Sequence, residues 1–460
     1  MPHPLLVASD TPSLPIWLVN DKSWPAVAAQ LPAQAQAFAA SQGFEAKAGT
    51  HCFLPDPDGK ILGVAFGLDG TDAKRGDPFL PGKLVSILPE GTYRFETDAA
   101  DPALATLAWL LGAYSFDRYR KRSHKAVRLA LPRGVDGDEV SRIAEAVATS
   151  RDLINTPTSD LGPDGIEEAA RKIAEKHGAA FTSIVGDDLL TQNFPMIHAV
   201  GRASATPPRL IDFTWGKADA PRITLVGKGV AFDTGGLDIK PASSMLMMRK
   251  DMGGSAAALA LADMIMGAKL PVRLRVLIPA VENAISANAF RPGDILHSRK
   301  GLTVEIGNTD AEGRLILADA LALADEENPD LVVDFATLTG AARVALGPDL
   351  PPFYTHDDAL AVDIAQQGEA VNDPVWRMPL WQPYHSQLDS KYADMNNTGG
   401  PMAGSVTAAL FLSRFVAAAK AWVHFDIFAW NNTTRPGRPE GAEVQAARLM
   451  YALLKKRYAS

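Results

Sequence analysis

The chain has 460 residues, of which 47% are hydrophobic and 21% charged, and a formal net charge of −8. At roughly 150 residues per domain, that length allows two or three folded units. The acidic balance and the absence of a long Lys/Arg cluster argue against a nucleic-acid or anionic-membrane surface, and the single cysteine, Cys52, excludes an internal disulfide or a thiolate metal cluster.

The N-terminal MPHPLLVASDTPSLP lacks the basic start and apolar core of a signal peptide, and no apolar run is long enough to span a bilayer. A cytoplasmic protein without membrane partners is expected. In residues 1–135, IWLVN (Ile16 to Asn20) and KILGVAFGL (Lys60 to Leu68) read as strands and Ala103 to Arg120 as a helix, giving a smaller N-terminal α/β domain. Residues 136–155 form an interdomain linker helix: Val140, Ile143, Val147 and Ile154 recur at helical spacing until Pro157 stops the run.

Residues 156–460 read as a larger catalytic α/β domain with a mixed, largely parallel central sheet flanked by helices. Its strand candidates are Arg222 to Gly227, Val272 to Ala280, Asp330 to Thr337 and Ala421 to Ala429; its helix candidates include Ser255 to Met266, Gly313 to Glu326 and Ala403 to Ala419. In such folds, sites gather at the carboxyl ends of the strands.

The chain contains no H-E-x-x-H, G-x-S-x-G or P-loop motif, and VGKGVAF has Phe232 where a dinucleotide fingerprint needs its third glycine. The nine histidines are scattered without metal-ligand spacing; His424, inside an apolar strand, reads as structural. Carboxylates and lysines remain. Lys228, Asp233, Lys240 and Asp251 stand among small residues between a strand and a helix, and IGNTDAEGRLILADAL adds Asp310, Glu312 and Arg314 after LTVEIG.

Asp233, Asp251, Asp310 and Glu312, brought together in a crevice, repel one another unless cations intervene, and a pair of divalent ions is a common hydrolytic solution. Lys228 can join as a ligand once its amine is neutral, and an oxygen-rich set favours Mg, Mn or Zn. Taken singly, the same residues have simpler readings. Asp310 can cap the following helix with Glu312 in its first turn, Asp251 can cap the next one, Lys228 and Lys240 can be surface charges, and Met245, Met247 and Met248 can be core filler.

At these residues the sequence closely resembles the leucyl aminopeptidase family, the two-metal cytosol aminopeptidases. NTDAEGRL (Asn308 to Leu315) reads as that family's signature without substitution, and KGVAFDTGGLDIKP, MRKDMGG, NTP (Asn155 to Pro157), ENAISANAFRPGD and DFATLTGA extend the likeness over most of residues 150–430. The resemblance implies that Lys228, Asp233, Asp251, Asp310 and Glu312 bind two divalent metal ions (Mn or Zn, possibly Mg), with Asp233 and Glu312 bridging. Lys240 and Arg314 would be the catalytic side chains, Lys240 stabilising the oxyanion and Arg314 holding a bicarbonate general base. Met248, Thr337, Leu338 and Gly340 would line a pocket for an apolar first residue such as Leu or Met.

The implied substrates are peptides with a free N-terminus, and the implied assembly is a homohexamer of two trimers. The stretch from Trp430 to Leu449 departs from the family pattern, and the first 130 residues match it only thinly. Two competing readings are a dinuclear phosphoesterase, disfavoured by the lack of a P-loop and of ligand histidines, and a non-catalytic hexameric scaffold or DNA-binding protein, disfavoured by the intact seven-residue set and the acidic charge.

Overall fold

In the computed structural model, residues 3–69, 76–97, 99–121, 123 and 125–459 are described. The chain divides into two compact units, Met1–Ala148 with Asn432–Glu440, and Thr149–Asn431 with Gly441–Ser460. The helix Gly137–Asn155 carries the chain from one into the other.

The first unit is built on a six-stranded sheet in the order Leu6–Val7, Val127–Ala130, Gly91–Phe95, Leu14–Val19, Ile61–Gly67, His51–Pro55; every pairing is parallel except the last. The helix expected from Ala103 to Arg120 spans only Pro102–Gly112. Asp101 caps its start by accepting from the Leu104 amide, 2.9 Å. Gly112 packs so closely on Gly82 that a Cβ there would meet the Gly82 carbonyl at 2.6 Å. Beyond it Ser115 bonds Asp117, a local contact of the kind that competes with a helix.

The second unit holds a nine-stranded mixed sheet. Its parallel centre runs Trp422–Asp426, Leu331–Ala336, Arg222–Gly227, Arg273–Asn283, with antiparallel strands on both sides, and a short strand, Gly229–Asp233, also pairs parallel with Arg273–Asn283. The central strands are buried along nearly their whole length, as parallel strands covered on both faces must be. The helices Gly253–Gly267 and Glu312–Asp325 are likewise almost wholly buried.

LTVEIG contributes Thr303–Glu305 to a separate three-stranded sheet. The helix expected over Ala403 to Ala419 spans Gly404–Ser413. Ala403 takes a left-handed φ of +59°, and the amides of Ala417, Ala418 and Ala419 are captured by the Asp325 carboxylate at 2.8 Å each, so three good helix formers are diverted by one buried acid. Among the described residues, no helix is long and apolar enough to cross a membrane.

Candidate metal centre

The strand ends of the central sheet deliver the first half of the cluster. Lys228 follows Arg222–Gly227, Asp233 ends Gly229–Asp233, and Thr337 follows Leu331–Ala336. Asp251 sits in the 3₁₀ turn Met248–Met252 that feeds the helix Gly253–Gly267. The second half comes from the mouth of the helix Glu312–Asp325. Ala311 is its N-cap, so Asp310 is free of the capping role considered from sequence.

Lys228 lies at the centre, 2% exposed. Its Nζ is 2.7 Å from Asp251 Oδ2 and 2.9 Å from Glu312 Oε1, and donates to the Thr337 carbonyl at 3.0 Å. Such burial needs close backbone approach: a Cβ on Gly313 would stand 2.5 Å from Lys228 Cε. Gly313→Ala therefore pushes Lys228 off its carboxylates while leaving a residue of higher helix propensity. We expect about a 10–100-fold weaker metal affinity, the size typical of losing an outer partner, with unchanged circular dichroism; calorimetric metal titration checks it.

Lys240 forms the second ion-paired centre. The loop between Asp233 and Lys240 folds back through Gly235 and Gly236, at φ of +87° and +65°, so that Lys240 Nζ meets Asp233 Oδ2 at 2.8 Å and also pairs with Asp310. Carboxylate oxygens of Asp233, Asp310 and Glu312 lie within 4.8 Å of one another, a spacing that could hold a metal ion. Asp251 joins them through Lys228.

Charge in this space is strained. Burial, with Asp233 next in effect, pushes the Glu312 carboxyl up to about 8, and the same two causes raise Asp310 to about 6. Burial would depress the ammonium of Lys228, but Asp251, Glu312 and Asp233 overcome it and hold that group above its usual value; Asp233 and Glu312 do the same for Lys240. Both oxygens of Glu312 and Oδ2 of Asp251 are buried with no donor aligned on them, the nearby Lys228 notwithstanding. Unsatisfied buried carboxylate oxygens facing one another fit a divalent cation, and the donor set, oxygens with one amine, fits Mn, Zn or Mg.

Arg314 is buried, which lowers its guanidinium to about 10. Nη1 donates to the Asn397 carbonyl at 2.6 Å, and Nε has no acceptor. A cavity of about 270 Å³ opens on this cluster, and Met248, Thr337, Leu338 and Gly340 line it together with Lys228, Asp233, Lys240, Asp251, Asp310 and Arg314. The methionines expected as core filler, Met245, Met247 and Met248, are only half-buried. Among the described residues no histidine enters a metal-spaced group; His424 is fully buried with Nδ1 2.5 Å from Asp334, and His124 lies outside the described residues.

Residues 148–451 match the model of the cytosol aminopeptidase family, catalytic domain, and residues 14–132 that of the M17 aminopeptidase N-terminal domain. The chain belongs to the cytosol aminopeptidase family. It is 40% identical over 365 residues to a probable cytosol aminopeptidase of Syntrophotalea carbinolica, covering 75% of this chain and 73% of the relative. The crystal structure of a cytosol aminopeptidase from Coxiella burnetii superposes with a TM-score of 0.94 at 44% identity, covering 99% and 100% of the two chains. The bottromycin maturation enzyme BotP, solved in complex with Mn, is 33% identical with a TM-score of 0.87, over 97% and 99%. This chain is thus an aminopeptidase of a metal-dependent family, which sets aside the phosphoesterase and scaffold readings.

Sequence reasoning missed the residues that tie the cluster together. Asn283, fully buried, donates to Asp233 Oδ1 at 2.8 Å and to the Thr309 carbonyl at 3.2 Å. The Thr309 hydroxyl donates to the Gly235 carbonyl at 2.6 Å and accepts from the Asp238 amide at 2.9 Å, joining the two halves of the cluster. Thr309→Val strands both backbone groups, so a loss of roughly 1–3 kcal/mol is expected in urea unfolding. Lys250 and Arg343 also line the cavity. Lys250 stands in the MRKDMGG block, so its position was visible along the chain and its place on the cavity wall was not.

Proposed function

We propose that the protein removes the N-terminal residue from peptides at this cluster, where Lys228, Asp233, Asp251, Asp310 and Glu312 would hold two divalent ions. The observation that carries the reading is the buried carboxylate group at one end of the cavity, with Glu312 oxygens that no donor satisfies. When bound, such an ion pair supplies Lewis acidity and a water acidified to near neutral pH.

The chain's own residues supply positioning and charge. Lys240, held as an ammonium by Asp233 and Asp310, is a poor proton acceptor and a good electrostatic partner for the negative charge that develops on the scissile carbonyl oxygen. Arg314, with a buried Nε lacking an acceptor, is suited to gripping a small planar anion, and a bicarbonate there would serve as general base. Thr337 fixes Asp251 by donating to its Oδ1 at 2.8 Å. Met248, Leu338 and Gly340 border the space for the first side chain, and the first two offer it apolar contact.

The same reading carries the domain plan of residues 1–135, 136–155 and 156–460, a homohexamer of two trimers and a cytoplasmic setting. Solution mass measurement tests the assembly. The activity is tested by incubating metal-loaded protein with dipeptides of varied first residue. Release of free N-terminal amino acid supports it, and blocking the α-amine by acetylation should abolish release.

A further inference from the structure

We propose that this aminopeptidase favours peptides whose first residue carries a carboxylate, Glu or Asp, and that Lys250 and Arg343 receive it; the proposal rests on the cavity being the pocket for the first side chain. Lys250 is 2% exposed, yet lines the cavity, as does Arg343. Both converge on one ring: Lys250 Nζ and Arg343 Cζ each stand 4.8 Å from the centroid of Phe428.

Among the described residues, neither cation has a carboxylate within ion-pair distance, and Arg343 bonds only the Thr339 carbonyl, 2.9 Å. The nearby acids are already engaged. Asp251 is held by Lys228 and Thr337, and Asp426 accepts from the amides of Leu338 and Thr339 and from the Thr339 hydroxyl.

Burying a cation without an anion is costly, and the face of a phenyl ring offsets only part of that cost. A pocket meant solely for Leu or Met would be better served by an aliphatic residue at position 250. A buried amine and a guanidinium, neither with a carboxylate partner, on the wall of a small cavity instead leave a place for an anionic group, with Met248 and Leu338 beside its methylenes. Whatever its protonation, the Lys250 nitrogen is a hydrogen-bond donor, and Arg343 supplies a fixed charge.

The test is kcat/KM of the metal-loaded, full-length protein on Glu-Ala, Gln-Ala, Leu-Ala and Met-Ala. Gln matches Glu in shape and lacks its charge. A preference for Glu over Gln of about tenfold or more is expected, the yield of one charge-assisted hydrogen bond, carried mainly in KM. Lys250→Met and Arg343→Gln should each draw that ratio toward one. The proposal is overturned if wild-type protein cleaves Gln-Ala or Leu-Ala as well as Glu-Ala, a result that needs no variant, or if both folded variants keep the ratio. Failure to cleave any of the four peptides overturns the aminopeptidase reading itself, a distinct outcome.

Discussion

Chelation of divalent ions should abolish peptide hydrolysis and leave a protein whose stability falls as the pH rises from about 5 to about 8. Glu312 contributes most within the cluster, and Asp319, which burial raises to about 7, adds the same sign from outside it. The Glu312 carboxyl, ordinarily near 4.5, is pushed by burial and then by Asp233 up to about 8. Across that window the folded chain keeps a proton that the unfolded chain has released, so stability declines with pH until the folded group ionises, and the penalty is fully present above it. Asp310, raised to about 6, adds the same sign over a narrower window. Asp251 is shifted downward, so its contribution changes below the window; the lysines Lys228 and Lys240 are shifted upward and theirs change above it.

Moving the ionisation of a carboxyl by one pH unit on folding is worth about 1.4 kcal/mol, so the swing is on the order of a few kcal/mol. Melting curves of chelated protein at pH 5, 6, 7 and 8 should show it, and Glu312→Gln and Mn should each reduce it, leaving the part that Asp319 contributes among its own amide partners. A slope that neither Glu312→Gln nor Mn reduces would contradict the electrostatic account of the cluster.

Lys240→Ala should lower kcat by about 10²–10³-fold, the usual cost of removing one donor from a developing oxyanion, with metal content near that of the parent. The reason is geometric. Lys240 contacts Asp233 and Asp310 from the cavity side and is the more exposed of the two lysines, whereas Lys228 is enclosed among the carboxylates. Removing Lys240 therefore takes away positive charge beside the substrate without opening the ligand set. Asp233→Ala should do the reverse and lose metal, since it removes the carboxylate that pairs with Lys240 and receives the Asn283 and Gly235 donors. Element analysis of both variants beside steady-state rates separates the roles, and an exchange of the two outcomes would reverse the assignment.

Much of the architecture was legible because its signals are local. The strands Arg222–Gly227 and Leu331–Ala336 are short runs rich in apolar and β-branched residues, and the helix Gly137–Asn155 shows its period and ends at Asn155, two residues before a proline. The errors arose where distant groups overrule local propensity. Nothing near Ala417 announces that Asp325, about ninety residues earlier, will claim its amide, and the closeness of Gly112 to Gly82 is likewise invisible along the chain. The same holds for the site. Seven charged residues stood out by type and by resemblance, but Asn283, Thr309 and Asn397 are ordinary polar residues until the fold brings them to Asp233, Gly235 and Arg314. Lys250 was passed over for another reason: beside a predicted ligand, a lysine reads as one more charge, and only the cavity wall reveals its side.

The most direct measurement combines metal stoichiometry with product release. Protein stripped of metal and reloaded stepwise with Mn or Zn should bind two ions per chain, and release of the first residue from unblocked peptides should rise with occupancy. Folded protein carrying two ions that releases no amino acid from any such peptide, yet hydrolyses nitrophenyl phosphate, would contradict the account.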